Sequence, residues 1–103
     1  MKEINVYIDK SPILPCVNMI KDKEDCLEIT VFNGETQVEV KKAKIDGKKP
    51  FGEHISIYSK IENGIIVAEL TPEDMDQTGK ILCEITIKEE KAYFYIYVED
   101  IRE

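Results

Sequence analysis

Gly79-Lys80-Ile81-Leu82-Cys83-Glu84-Ile85-Thr86-Ile87-Lys88-Glu89-Glu90-Lys91-Ala92-Tyr93-Phe94-Tyr95-Ile96-Tyr97-Val98-Glu99 decides the fold class. Ile81, Cys83, Ile85 and Ile87 recur at every second position, and Ala92, Phe94, Ile96 and Val98 repeat the pattern. Successive side chains of a strand point to opposite faces, so this period buries one row and leaves the other outside. Glu89-Glu90 interrupts both rows and predicts a tight hairpin between two long strands.

The same period continues towards the N-terminus. Ile4, Val6 and Ile8 share one face of Lys2–Ile8, and Leu27, Ile29 and Val31 share one face of Cys26–Phe32. Val38 and Val40 open a further segment whose alternation slips at Lys41-Lys42 before Ala43 and Ile45, which predicts a bulge or bend. Gly47, Pro50 and Gly52 mark a turn, Ile55 and Ile57 a short strand, and Asn63-Gly64 a turn into Ile65–Leu70. Thr71-Pro72-Glu73-Asp74 carries a hydroxyl cap, a proline at the first helical position and a carboxylate three residues after the cap. It reads as one helical turn, with Met75 dropping into the core and Gly79 ending it. Residues 9–25 read as an irregular connection whose Ile13, Leu14, Val17, Met19 and Ile20 are available to cover an end of the core. Seven or eight short strands separated by frequent turn signals predict an all-β fold, a β-sandwich.

A chain of 103 residues makes a single domain, 1–103, with one modest core. Its net charge of −7, with Arg102 the single arginine, argues against nucleic acid and anionic membranes as partners. The uncharged apolar run Ser11–Ile20 is broken by Pro12 and Pro15 and falls short of the ~20 residues of a membrane span. Met1–Asn5 shows no signal-peptide core before Asp9, so a chain kept in a cytoplasm is expected unless something larger carries it out. The three cysteines, Cys16, Cys26 and Cys83, form neither a metal-binding spacing nor an even framework, so reduced thiols are expected.

At Asp76–Cys83 the spacing resembles the start of strand F in immunoglobulin folds, with Ile81 where those domains carry a corner tyrosine. Cys26 alternates outward while Cys83 alternates inward, which argues against an inter-sheet disulfide. A longer resemblance runs through Asp25 before Leu27-Glu28-Ile29-Thr30-Val31, the turn Lys49-Pro50-Phe51-Gly52, and Gly64 opening Ile65–Leu70-Thr71. It continues with Pro72–Met75, Gly79, Cys83-Glu84-Ile85 and Phe94–Val98. In this order of elements the chain resembles the N-terminal immunoglobulin-like domain of phage baseplate upper proteins, over roughly residues 20–99. Phe51 stands where that family usually has a small polar residue. The resemblance implies a structural module that docks to other phage tail or baseplate proteins. It implies the host cytoplasm during assembly and the virion tail afterwards, with a homo-oligomer possible in the assembly. Family members continue into a C-terminal region that holds other tail proteins, so the anchoring half of the role is the part implied here.

No catalytic constellation is legible. His54 alternates with Ser56 and Tyr58 toward solvent and has no nucleophile or orienting carboxylate in its context. Asp22, Glu24, Asp25 and Glu28 lack the glycine and ligand spacing of a calcium loop and are interleaved with Lys21 and Lys23. Glu73-Asp74 suits a helix N-terminus. Cys83 is expected to be buried, and Cys16 and Cys26 have no evident His or Arg nearby to lower a thiol pKa. No glycine-rich phosphate loop is present, and no cofactor is expected.

One surface pattern remains. With Phe94, Ile96 and Val98 inside, Tyr93, Tyr95 and Tyr97 line the opposite face, and Leu82 on the neighbouring strand joins them. Tyr7 alternates outward as well, and in immunoglobulin-like topologies the first strand often pairs beside the last. Half-exposed tyrosines stabilise a sheet through cross-strand pairs. Rigid amphipathic rings in a row also suit a protein-binding face, where tyrosine is enriched. Stacking on sugars, as in a carbohydrate-binding module, is a third use. An acidic cytoplasmic interaction or inhibitor domain, mimicking nucleic acid for a basic partner, is the alternative to the tail module.

Overall fold

Most of the buried rows predicted from period two are realised in a computed structural model of the chain, which describes residues 1–8 and 14–101, with Ile8, Val38, Ala43 and Ile55 half-buried. The described residues form nine strands: β1 (Lys2–Tyr7), β2 (Cys16–Ile20), β3 (Asp25–Asn33), β4 (Thr36–Val38) and β5 (Lys44–Lys48), then β6 (His54–Glu62), β7 (Ile65–Leu70), β8 (Gly79–Ile87) and β9 (Glu90–Glu99). Their hydrogen-bonded order is β1-β3-β7-β6-β5-β8-β9-β2, with β4 added to β3. β6 joins two sheets: His54–Ile57 pairs with β5, and Tyr58–Glu62 pairs with β7. The result is an all-β sandwich curled nearly into a barrel, with β1 and β2 at the two ends of the order.

The core is the sum of the alternating rows. Leu27, Ile29 and Val31 of β3 face Ile81, Cys83 and Ile85 of β8 and Phe94, Ile96 and Val98 of β9, all essentially without solvent contact. Fully burying one such aliphatic or aromatic side chain contributes about 1.5–3 kcal/mol. Asn63-Gly64 makes the β6–β7 turn with φ of 53° and 77°, the backbone a two-residue hairpin needs to match strand twist.

Three expectations change. The irregular connection contains β2, which pairs parallel with β9 and buries Val17 and Met19, so strands outnumber the expected seven or eight. Ile13 lies outside the described residues. The first strand is not hydrogen-bonded to the last: β1 pairs parallel with β3, and β2 takes the edge of β9. The β8–β9 turn is Lys88-Glu89, since Ile87 and Glu90 are a paired position, and Lys88 takes a φ of 53°.

Smaller departures follow from local chemistry. The slip at Lys41-Lys42 is a loop between β4 and β5, tied down where the Val40 N–H donates to Gly64 O at 3.0 Å. The segment read as a short strand at Ile55 and Ile57 extends to Glu62. Thr71–Asp74 forms a hydrogen-bonded turn that stops short of a helix. Its reciprocal cap is present: Asp74 N–H donates to Thr71 Oγ1 at 3.2 Å, and Thr71 N–H donates to Asp74 Oδ2 at 3.0 Å. Met75 is wholly buried beneath it.

Candidate protein-binding face

The outer face of the sheet made by β5, β8, β9 and β2 carries most of the aromatic pattern. Register sets Leu82 opposite Tyr95, Lys80 opposite Tyr97 and Glu84 opposite Tyr93. On the other side of β9, Cys16 is opposite Tyr95 and Asn18 opposite Tyr97. Tyr93, Tyr97, Leu82 and Ile20 are 38%, 40%, 37% and 36% exposed, so each offers apolar area while its stem packs on the sheet. Tyr95 is more covered, because the Lys80 ammonium sits 5.2 Å from its ring centroid.

Charged groups of this face pair in two places. Lys91 Nζ donates to Glu84 Oε1 at 2.9 Å. That hydrogen bond, with Lys91's charge and a hydrogen bond involving Tyr93, holds the Glu84 carboxyl below the usual range, and Glu84 in turn raises Lys91. Lys44 and Asp46 face each other at 4.0 Å on β5. The face is thus an apolar strip of tyrosine and leucine, with ion pairs at Lys91–Glu84 and Lys44–Asp46 and the exposed Lys48 beside Leu82.

Tyr7 is not part of the strip. It stands on β1 in the other sheet and stacks on Phe32 of β3, with centroids 5.7 Å apart and planes at 27°. Its expected place beside β9 is taken by Cys16, Asn18 and Ile20, which sequence reading missed. The signal was there: Cys16-Val17-Asn18-Met19-Ile20 alternates, with Val17 and Met19 inside.

No protein-family model matches the chain, and no curated protein matches it in sequence. Among solved structures, one domain superposes over 97% of this chain and 100% of its own length with a TM-score of 0.64. It is the N-terminal domain of phage TP901-1 ORF48. Identity to the ORF48 domain is 9%, so what the two share is the arrangement of strands.

Other groups that sequence reading weighed for chemistry are scattered. His54 is exposed at the start of β6, opposite Lys48. Cys83 is buried and its thiol is pushed up to about 12 by desolvation, with Asp74 adding to the shift. Cys16 is exposed and Cys26 half-buried, and all three cysteines are free. Among the described residues no group of three or more His, Cys, Asp and Glu side chains is placed to hold a metal ion.

Proposed function

We propose that the chain is a non-enzymatic structural module of a phage tail baseplate that docks to neighbouring tail proteins through Leu82, Tyr93, Tyr95 and Tyr97. The observation that carries this reading is the end-to-end fold likeness to a phage protein domain, given above, joined to the unpartnered tyrosine strip. Tyrosine buries large area at small entropic cost, and flanking pairs such as Lys91–Glu84 keep stray charge out of the contact. Many copies in a symmetric baseplate turn weak contacts into firm ones. In this role the chain works in the cytoplasm of the bacterial host and then in the virion tail.

The acidic-mimic alternative draws less support, because carboxylates on the sheet faces alternate with lysines, as at Lys44–Asp46 and Lys60–Glu62–Glu69. The test is capture of the tagged chain from phage-producing cells, in parallel with a Tyr93→Ser/Tyr95→Ser/Tyr97→Ser variant. Recovery of tail proteins by the wild type and their loss from the folded variant is the expected result. Tail proteins retained by the variant would sink the face, and recovery of only a host enzyme or a basic nucleic-acid-binding protein would sink the tail reading.

A further inference from the structure

We propose that Asn33 is a self-modifying site: with water as the only reagent, its side-chain amide is lost to attack by the Gly34 nitrogen, and the residue ages to a mixture of aspartate and isoaspartate. The other Asn-Gly step of the chain, Asn63-Gly64, is held back by the fold. The reaction asks nothing of the tyrosine face and is independent of the tail reading.

In an Asn-Gly step the backbone nitrogen after the asparagine can reach the side-chain carbonyl carbon, because glycine has no Cβ to crowd the approach and turns freely. The Gly34 nitrogen gives up its proton to water and bonds to Asn33 Cγ. The Cγ–Nδ2 bond breaks, ammonia leaves with a proton taken back from water, and a five-membered imide remains. Water then opens the ring at either carbonyl. Breaking the new bond to Cγ leaves an aspartate. Breaking the original peptide bond leaves an isoaspartate, with the backbone rerouted through Cβ and Cγ. One water enters and one ammonia leaves, so no oxidant, reductant or cofactor is needed.

Both steps share this chemistry, and the fold separates them. Asn33 ends β3 in extended backbone, and Gly34-Glu35 makes the two-residue turn to β4, Asn33 and Thr36 being a paired position. Asn33, Gly34 and Glu35 are all exposed, and a Cβ built on Gly34 meets nothing within 4 Å. The hairpin is lightly held: β4 has three residues, pairs with β3 alone, and carries the half-buried Val38 as its single apolar side chain. Such an element opens locally at small free-energy cost, so the ring can close whatever hydrogen bonds the shut turn makes.

Asn63-Gly64 is braced instead. Asn63 sits at a φ of 53° and Gly64 at 77°, the positive pair this hairpin requires, so moving Asn63 to close a ring undoes the turn. Gly64 is buried, its carbonyl accepts from Val40 N–H at 3.0 Å, and a Cβ on it would lie 2.9 Å from Glu39 Cγ. The flanking strands are nine and six residues long, and β7 lies between β3 and β6 with Ile66 and Ala68 buried in the core. Opening this turn breaks into that core.

Conversion at position 33 has a structural result. Either product adds a carboxylate to a chain whose net charge is already −7. The isoaspartate also adds a backbone atom at the pair that sets the register of β3 with β4. With three residues to absorb the shift, β4 comes away and Val38 leaves its partner Val31.

The test is timed incubation of the folded chain in mildly alkaline buffer, well below its unfolding temperature, with both sites followed by peptide mapping in a mass spectrometer. Position 33 should gain the amide-to-acid mass and become a substrate for protein-isoaspartate methyltransferase. Position 63 should convert at least roughly ten-fold more slowly. In urea, where both turns are gone, the two should convert at similar rates. Asn33→Gln, whose longer side chain must close a six-membered ring, should suppress the change at 33 and leave 63 as it was. A position 33 that keeps its amide in the folded chain, a position 63 that keeps pace with it there, or a folded ratio no different from the ratio in urea overturns the proposal.

Discussion

Lys49 is the residue whose environment differs most from what its type suggests. A lysine is rarely buried without partners, and here Asp76, Glu53 and the Glu73 carbonyl surround its ammonium. Burial works to lower its pKa, but the hydrogen bond and charge of Asp76, reinforced by Glu53, outweigh it and leave the pKa raised. The folded state therefore holds this proton more tightly than the unfolded chain. The stabilisation is complete below the unfolded lysine value of about 10.4 and is lost as pH rises through the folded value. Lys49→Met, which keeps the aliphatic stem, should destabilise the domain by about 1–3 kcal/mol in urea unfolding at pH 7. The gap between the two proteins should hold to about pH 10 and close above it. A gap that widens with rising pH would contradict the assignment. Little of this was legible in sequence: Glu53 is four residues on, but the Glu73 carbonyl and Asp76 lie 24 and 27 residues away, on a turn brought alongside only by folding.

At the level of elements, alternation settles which face of a strand is buried and says nothing of its neighbour. β3, β8 and β9 were readable because charged or aromatic residues separate their apolar rows. β2 was not, because in Cys16-Val17-Asn18-Met19-Ile20 only Asn18 is strongly polar and two prolines precede it. The tyrosine strip was legible apart from that edge, and Tyr7 was misplaced because an outward-facing residue can belong to either sheet. Asn63-Gly64 was legible as a turn because its chemistry is local, whereas the β8–β9 turn fell one residue before the expected Glu89-Glu90. Gly64→Ala and Gly34→Ala separate two effects in turns. Both positions have positive φ, but a Cβ at Gly64 meets Glu39 Cγ at 2.9 Å, whereas one at Gly34 enters open space. Gly34→Ala should cost about 1 kcal/mol from backbone strain alone, and Gly64→Ala about 1–2 kcal/mol or more, by thermal or urea unfolding. Equal costs would mean that Glu39 yields freely.

For the whole molecule, the two parallel pairings at the ends of the strand order matter together. Met1 lies 3.9 Å from Asp25, and Glu99 O accepts from Lys21 N–H at 2.8 Å, so the start of β1 and the end of β9 both sit beside the turn that joins β2 to β3. Tension applied at residues 1 and 101 therefore meets β1 first, crosswise to its ladder, and peels it from β3 one bond at a time. Once β1 is free, the pull reaches β2 at its start while β9 is drawn from its end. Because those two strands run parallel, their bonds are then loaded lengthwise and all at once. Stretched in an optical trap, the domain should yield in two stages, a weak release of β1 followed by a rupture at higher force. A single step at low force would show that β2 and β9 do not act as a mechanical clasp.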